Sequence, residues 1–364
     1  MKVLIAAGGT GGHIYPGIAV AKEVMRRDAA SEVLFVGTAR GLEKKLVRDN
    51  GFQLALINSA GLKNVGFVGK VKGMAVLPRS FWEARKILRE FTPDVVVGAG
   101  GYVSGPVLLT AHFMGFPTLV MDSNALPGFT NRQLARFVDK AAITFEEAKH
   151  FFGAKGVVTG NPVRQEFFDI ATREPGEQIN LLIFGGSQGA RAINDAMVAA
   201  LPLLNGEVAN LQITHQTGDA SYDLVRSRYA ENGWEDVDIR PYISNMVEAF
   251  DAADVIISRA GATTCAEVAA AGKAAIMIPF PGAADDHQRR NAEALVKKGA
   301  ARMILQADLT GERLARELTT LIKEPKAIAE MGSAARKMAR PDAAEATVDI
   351  IEQLSGKVVA TAKS

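Results

Sequence analysis

The residues best equipped for chemistry stand just after two apolar strands. Gly8-Gly9-Thr10-Gly11-Gly12-His13 follows the strand-like run Val3 to Ala7, and Ile14, Ile18, Ala21 and Met25 then recur at helical spacing. Four glycines in five positions let a ligand approach the backbone. The helix start beyond them offers unpaired N–H groups and a positive dipole end to an anion or a polar sugar, and His13 sits at that rim. Further along, Ser258-Arg259-Ala260-Gly261 leads from an apolar strand into a helix over Ala262 to Ala271 that Gly272 caps. The N–H groups of Ala262, Thr263 and Thr264 and the two threonine hydroxyls suit a diphosphate, while Glu267, one turn on, can accept from a ribose diol.

The first glycine loop is not a dinucleotide fingerprint, because after Gly9 and Gly11 the third glycine position is Ile14, and no G-x-x-x-x-G-K-[ST] occurs anywhere. It is repeated instead. Leu181 to Phe184 is a second apolar strand, followed by Gly185-Gly186-Ser187-Gln188-Gly189 and a helix with Ile193, Met197, Ala200 and Leu201 on its apolar face. Two copies half a chain apart predict an α/β protein with two Rossmann-like domains facing each other across a cleft. A length of 364 residues allows each domain its own core, and 48% hydrophobic with 23% charged residues excludes wholesale disorder. Cys265 is the sole cysteine, which rules out an intrachain disulfide and multi-thiolate metal sites. The first apolar run is too short for a signal-peptide core, and the most apolar stretch, Tyr102 to Met121, is broken by glycine and proline. A cytoplasmic chain without a membrane span is expected.

Strands and helices alternate through both halves. Strands are expected at Val33 to Val36, Gly51 to Ile57, Pro93 to Val97, Thr118 to Met121, Ala141 to Thr144 and Val157 to Val158. Beyond Leu181 to Phe184 they continue at Leu211 to His215, Val237 to Pro241, Val255 to Ser258 and Ala274 to Ile278. Ligands of open α/β sheets sit beyond the strands' carboxyl ends. That brings Gly8 to His13, Gly98 to Tyr102 and Asp122 to Asn124 to one rim. Gly160-Asn161-Pro162-Val163-Arg164 reads as the junction, giving domains over 1–163 and 164–340, with a final helix in 341–364 packing back on the first. Gln288, after Asp285-Asp286-His287, reads either as a binding side chain or as a solvated helix start.

These motifs, together with Gly100-Gly101-Tyr102-Val103-Ser104-Gly105-Pro106 and Asn291-Ala292, resemble the MurG family of GT-B glycosyltransferases over nearly the whole chain. The resemblance implies an inverting enzyme that moves GlcNAc from UDP-GlcNAc to the 4-hydroxyl of MurNAc in lipid I, undecaprenyl-diphosphate-MurNAc-pentapeptide. Lipid II, with its β-1,4 link, and UDP are the products. It places the donor in the second domain: the Ile243 backbone at uracil, Glu267 at the ribose, and Ser187, Arg164 and Ala262 to Thr264 at the diphosphate. Asn124 and Gln288 match contacts to GlcNAc, and Thr10, Gly11 and Gly12 match donor contacts from the first domain. Gly101, Tyr102 and Ser104 belong to the acceptor side. The implied partners are UDP-GlcNAc, lipid I, the anionic cytoplasmic face of the inner membrane, and cell-wall synthesis and division proteins, with no nucleic acid and no cofactor.

Bond breaking loads charge on the leaving UDP, which Arg164 and a helix N-terminus would stabilise without a metal. The D-x-D pair Asp236 and Asp238 lies in a charged stretch and reads as a solvated loop. The acceptor hydroxyl needs a base of near-neutral pKa. His13 fits by type and place, and its other reading is to orient the loop or bind the acceptor phosphate. Where relatives read His-Glu-Gln-Asn this chain has Met121-Asp122-Ser123-Asn124, so Asp122 is a second candidate base. Between Lys63 and Glu90, Phe67, Phe81 and Trp82 stand among Lys72 and other cations, a pattern that alone favours an amphipathic helix with its apolar face in the core and that, with the family resemblance, suits an anionic membrane surface. The rival functions are a UDP-GlcNAc 2-epimerase, a transferase with another lipid acceptor and a non-enzymatic nucleotide-sugar binder.

Overall fold

Each apolar run becomes a strand of one of two parallel sheets. The computed structural model describes residues 1–9, 11–39, 43–59, 67–172, 174–186, 188–208 and 210–356, with the side chains of 67–76 and 284 left aside. The chain divides after Val163 and returns to the first unit at Arg340, so that Arg164–Ala339 forms the second unit.

The first unit contains β1 (Lys2–Ala7), α1 (Gly11–Arg27), β2 (Glu32–Gly37), α2 (Glu43–Asp49), β3 (Gln53–Leu56), α3 (Phe67–Phe91) and β4 (Val95–Gly100). It goes on with α4 (Ser104–Phe113), β5 (Thr118–Asp122), α5 (Phe129–Leu134), β6 (Lys140–Ile143), α6 (Lys149–Phe152) and β7 (Gly156–Val158). The strands lie in the order β3-β2-β1-β4-β5-β6-β7. Side chains alternate between the two faces. Val3 and Ile5 meet Ile14, Ile18 and Ala21 of α1 on one face, while Leu4 and Ala6 meet Leu88 of α3 and Leu108 of α4 on the other. Burial on both faces is why β1 and β4 read as continuous apolar runs.

The second unit contains β8 (Ile179–Phe184), α7 (Arg191–Leu204), β9 (Leu211–Gln216), α8 (Tyr222–Glu231), β10 (Asp238–Arg240), α9 (Met246–Ala252) and β11 (Val255–Ser258). Then come α10 (Ala262–Ala271), β12 (Ala274–Met277), α11 (His287–Lys297), β13 (Arg302–Met303), α12 (Gly311–Ile322) and α13 (Pro325–Lys337). Its strands lie in the order β10-β9-β8-β11-β12-β13. The two-residue edge strand β13 has no counterpart in the sequence expectation, being too short for periodicity to register. The last helix, α14 (Ala343–Leu354), packs on α1 in the first unit. There Val348 and Ile351 are fully buried, each stabilising by about 1.5–3 kcal/mol. Arg27 clamps the same contact, reaching Glu23, Asp349 and Glu352 at 2.8, 2.7 and 2.9 Å.

The duplication extends to how strands are anchored. Asp94, just before β4, accepts the N–H of Lys2 at the start of β1 at 2.8 Å. Asp254, just before β11, accepts the N–H of Asn180 in β8 at the same distance. In both sheets the order reverses beside this pair, at β1 next to β4 and at β8 next to β11. A switch point of this kind is where open α/β sheets hold ligands.

Candidate active site

In the first unit the switch point is built by the loops after β1, β4 and β5. The turn at Gly8 and Gly9 is held from beneath by Glu43, at the start of α2, whose Oε1 accepts the Gly9 N–H at 2.9 Å and the Thr38 hydroxyl at 3.2 Å. A Cβ at Gly8 would lie 2.6 Å from Val103 Cγ2 and 2.8 Å from that oxygen, so a side chain here would have to displace both. Among the described residues, Oε2 of Glu43 is buried without a hydrogen-bond partner. Thr10 lies outside the described residues; Gly11 and Gly12 open α1, and their N–H groups face the helix entrance. The His13 ring lies against Gly100, where a Cβ would overlap Nδ1, and Gly101 abuts the Gly8 carbonyl. Gly8 and His13 of the first loop thus meet Gly101 and Gly100 of the loop after β4 and form one wall with them.

Tyr102 is 56% exposed and offers its ring to solvent, with its carbonyl fixed by the Ser59 hydroxyl at 2.7 Å. Ser104, expected on the acceptor side, is instead fully buried beneath the loop. Its Oγ accepts the Gly100 N–H and lies 3.0 Å from the Ala6 carbonyl, so it supports the wall and does not form its surface. Asp122 also turns inward. Oδ1 accepts the Asn124 N–H at 2.9 Å, and Oδ2 accepts Asn131 Nδ2 at 2.8 Å and the Gly128 N–H at 3.1 Å. Burial pushes its carboxyl above the ordinary range, while these donors oppose the shift. A carboxylate so fully engaged shapes the loop that carries Asn124, and it is poorly placed to take a substrate proton. Ser123 donates to Asn161 Oδ1 at 2.8 Å, tying the same loop to the junction motif.

In the second unit, α10 begins at Ala262 behind Gly261, which brings no side chain to cap the first turn. Thr263 and Thr264 follow in this first turn, where helix N–H groups and hydroxyls are of the type that suits a diphosphate. Arg164, half-exposed, lies over the Phe167 ring at 4.8 Å with Nη2 3.8 Å from Glu267 Oε1. Burial raises the Glu267 carboxyl to about 7, against the lowering pull of Arg164. Gln288 is half-buried at the start of α11, where its Oε1 accepts the Phe280 N–H at 3.0 Å. The Ile243 N–H is already donated to Gln216 Oε1 at 2.7 Å. Ser187 falls outside the described residues.

A cleft of about 590 Å³ opens beside the second glycine turn, lined by Gly185, Gly189, Arg259, Phe280, Gln288 and Gln306 among others. Arg259, quoted only within its strand-to-helix motif, and Phe280 and Gln306 were given no role from sequence. Arg259 donates to the carbonyls of Ile278 and Pro279 at 3.1 and 3.3 Å and to Gln306 Oε1 at 2.7 Å, and lies over the Phe280 ring at 5.3 Å. Its place at the carboxyl end of β11 could have flagged it; Gln306 follows the cryptic strand β13 and could not be placed. The D-x-D pair is elsewhere: Asp238 lies in β10 and binds Arg240 at 2.8 Å. His215 is a buried neutral imidazole with its pKa driven down to about 3, His112 packs on Phe113 and Phe137, and His150 meets the Glu147 carbonyl. Phe81 is half-buried and Trp82 is 65% exposed on α3, while the Phe67 and Lys72 side chains lie outside the description.

Comparison with known proteins agrees with this architecture. Residues 3–143 match the glycosyltransferase family 28 N-terminal domain and residues 180–347 its C-terminal domain. A relative from Citrifermentans bemidjiense is named UDP-N-acetylglucosamine--N-acetylmuramyl-(pentapeptide) pyrophosphoryl-undecaprenol N-acetylglucosamine transferase. It is 47% identical over 352 residues, spanning 96% of this chain and 98% of that one. The crystal structure of Acinetobacter baumannii MurG matches with a TM-score of 0.80 at 34% identity, covering 97% of this chain and 100% of that one. The UDP-GlcNAc 2-epimerase of Neisseria meningitidis shares the fold alone, with a TM-score of 0.72 at 14% identity over 97% of this chain and all of that one. The two parallel-sheet units are those of a GT-B fold, and with family 28 domains over both sheets and near full-length identity to named relatives, the chain belongs to the MurG family of glycosyltransferases.

Proposed function

We propose that this chain transfers GlcNAc from UDP-GlcNAc to the 4-hydroxyl of MurNAc in lipid I, with inversion, giving lipid II and UDP. The observation that carries the reading is the group formed by Arg164, Glu267 and the uncapped start of α10, in a chain 47% identical to a named transferase of this kind. The donor diphosphate lies at the N–H groups of Ala262 to Thr264, with Ser187 and the Arg164 guanidinium beside it, and the ribose diol donates to Glu267. The uracil meets the Ile243 backbone. Gln288 and Asn124 hold the GlcNAc, and Thr10, Gly11 and Gly12 contribute from the first unit. As the glycosidic bond breaks, negative charge grows on the diphosphate, and a fixed cation and oriented N–H groups favour that charge more than the ground state. His13 takes the proton of the attacking hydroxyl.

The acceptor is held by Gly101 and the exposed Tyr102, with Ser104 fixing the loop that carries them. No described helix is long and apolar enough to cross a membrane. The exposed Trp82, with Phe81 and the cations of α3, serves as a peripheral contact with the anionic cytoplasmic face of the inner membrane, where the lipid tail of the acceptor resides.

The test is UDP release from UDP-GlcNAc by the purified protein, with and without a short-chain lipid I analogue, and with EDTA. Release that requires the analogue and persists in EDTA is expected. Conversion of the donor sugar without the analogue would replace the transferase by an epimerase.

A further inference from the structure

Glu43, the first residue of α2, is fully buried, and the ends of two neighbouring strands are shaped around it. Gly37 closes β2 beside its stem, where a Cβ would come within 2.9 Å of Glu43 Cγ, and Gly8 follows β1 beside its carboxylate. One oxygen takes every hydrogen bond that this side chain makes among the described residues. The Gly9 N–H donates to Oε1 at 2.9 Å, the Thr38 hydroxyl at 3.2 Å and the Thr38 N–H at 3.4 Å, while Oε2 takes none. A buried carboxylate with an unbonded oxygen costs stability where an apolar side chain would not, which leaves its grip on the two turns as what it supplies. Gly9 needs that grip. Its φ of 90° is left-handed, and α1 begins only two residues further on. The neighbouring Gly8 N–H donates to the Gly100 carbonyl at 3.3 Å, and the His13 ring lies on Gly100. A shift of the Gly9 peptide therefore carries with it the start of α1 and the seat of the imidazole.

We propose that Glu43 is a positioning residue for the transfer step, which sets the His13 imidazole through the Gly9 peptide and does so as an acceptor in a fixed place, not as a charge. This role rests on the reading that His13 takes the proton of the attacking hydroxyl. Displacing a reacting group by about 1 Å lowers a rate by roughly 10²-fold. Two substitutions separate place from charge. Glu43→Gln keeps an oxygen for Gly9 and Thr38 and puts its NH2 where Oε2 makes no bond among the described residues. Glu43→Asp keeps the charge and draws the acceptor back by one methylene.

The experiment measures steady-state transfer from UDP-GlcNAc to a lipid I analogue by the full-length protein, with UDP affinity by calorimetry and a thermal melt of each variant. Glu43→Gln, Glu43→Asp and Glu43→Ala are made alone and together with His13→Ala. Glu43→Asp and Glu43→Ala should lower kcat by about 10²-fold and move UDP affinity by less than about 3-fold, while Glu43→Gln rescues kcat to within about 3-fold of the wild type. In the His13→Ala background the same substitutions should change kcat by less than about 3-fold, because they act through a ring that is gone. A merely structural role would cost the same factor in both backgrounds. That result, or full activity in a folded Glu43→Ala, overturns the proposal. So does the reverse order, with Glu43→Asp active and Glu43→Gln impaired, which would make Glu43 an electrostatic group. The Gln and Asp pair decides the matter should Glu43→Ala fail to fold. A His13→Ala with wild-type turnover overturns the role of His13 and this one with it, and a wild type that transfers no GlcNAc overturns the proposed function itself.

Discussion

The two glycine turns occupy the same position in their sheets, after the strand at which the order reverses, yet they are held by different chemistry. Under the first lies a carboxylate, Glu43, which accepts from Gly9 and Thr38. Under the second lies a neutral amide, Gln216, which bonds Gly186 and Ile243. The first turn leads into a helix whose third residue is an imidazole lying on Gly100, and the second stands beside a cleft with Arg259, near an uncapped helix start. On the proposed function, this duplicated scaffold divides its labour: a group of the type that moves a proton on one unit, and a helix start of the type that holds a diphosphate on the other.

The sharpest way to break this division is to remove one group from each side. His13→Ala should lower kcat by roughly 10²- to 10⁴-fold with donor affinity nearly unchanged. Glu267→Ala should do the reverse, raising the donor KM by about 10-fold or more, as expected for losing hydrogen bonds to a charged group, and changing kcat at saturation far less. Steady-state kinetics with a lipid I analogue reads both. Turnover retained in His13→Ala would move proton transfer away from the first turn, and Asp122, already engaged by Asn124, Gly128 and Asn131, would not be a ready substitute.

Next in size is a pH effect confined to the second unit. Burial raises the Glu267 carboxyl from its ordinary 4.5 to about 7. Below that value it is neutral and a poorer acceptor for a ribose diol, so donor affinity should climb between about pH 6 and 8 and then level. Stability runs the other way. A carboxyl whose folded pKa exceeds its unfolded one binds more protons when folded, so its contribution is whole below about 4.5 and is lost as pH rises through about 7. The full swing is roughly 3 kcal/mol. Urea unfolding at pH 5 and pH 8 should show it in the wild type and not in Glu267→Gln; equal slopes in the two proteins would mean that Glu267 is better solvated than its burial implies.

Much of this was legible from residue order because parallel strands buried on both faces leave long apolar runs, and glycine marks close approaches. The convergence of Gly8 to His13 with Gly98 to Tyr102 follows from β1 lying beside β4. Side-chain direction was less legible. Ser104 and Asp122 stand in the right loops but turn beneath them, and nothing in their spacing distinguishes a hydroxyl or carboxylate that faces a ligand from one that braces its own backbone. Glu43 and Gln216 were missed for the same reason, since each acts on a turn far away in sequence, and Gln306 was hidden behind a strand of only two residues.

The smallest effect tests whether the turns are equivalent in backbone despite their different supports. Gly9 and Gly186 stand at matching places with φ of 90° and 98°, and a Cβ at either meets nothing within 4 Å among the described residues. Gly101 and Gly189 cannot serve, because there a Cβ would overlap a carbonyl. Alanine at Gly9 or Gly186 keeps the N–H that Glu43 binds or the carbonyl that Gln216 binds, so only the strained φ remains, at about 1–3 kcal/mol each. Denaturant unfolding should give losses that agree within about 0.5 kcal/mol, the scatter expected of independent sites. A much larger loss for Gly9→Ala would show that the carboxylate beneath the first turn depends on its backbone angle in a way the amide beneath the second does not, and the shared geometry would then be a coincidence of topology.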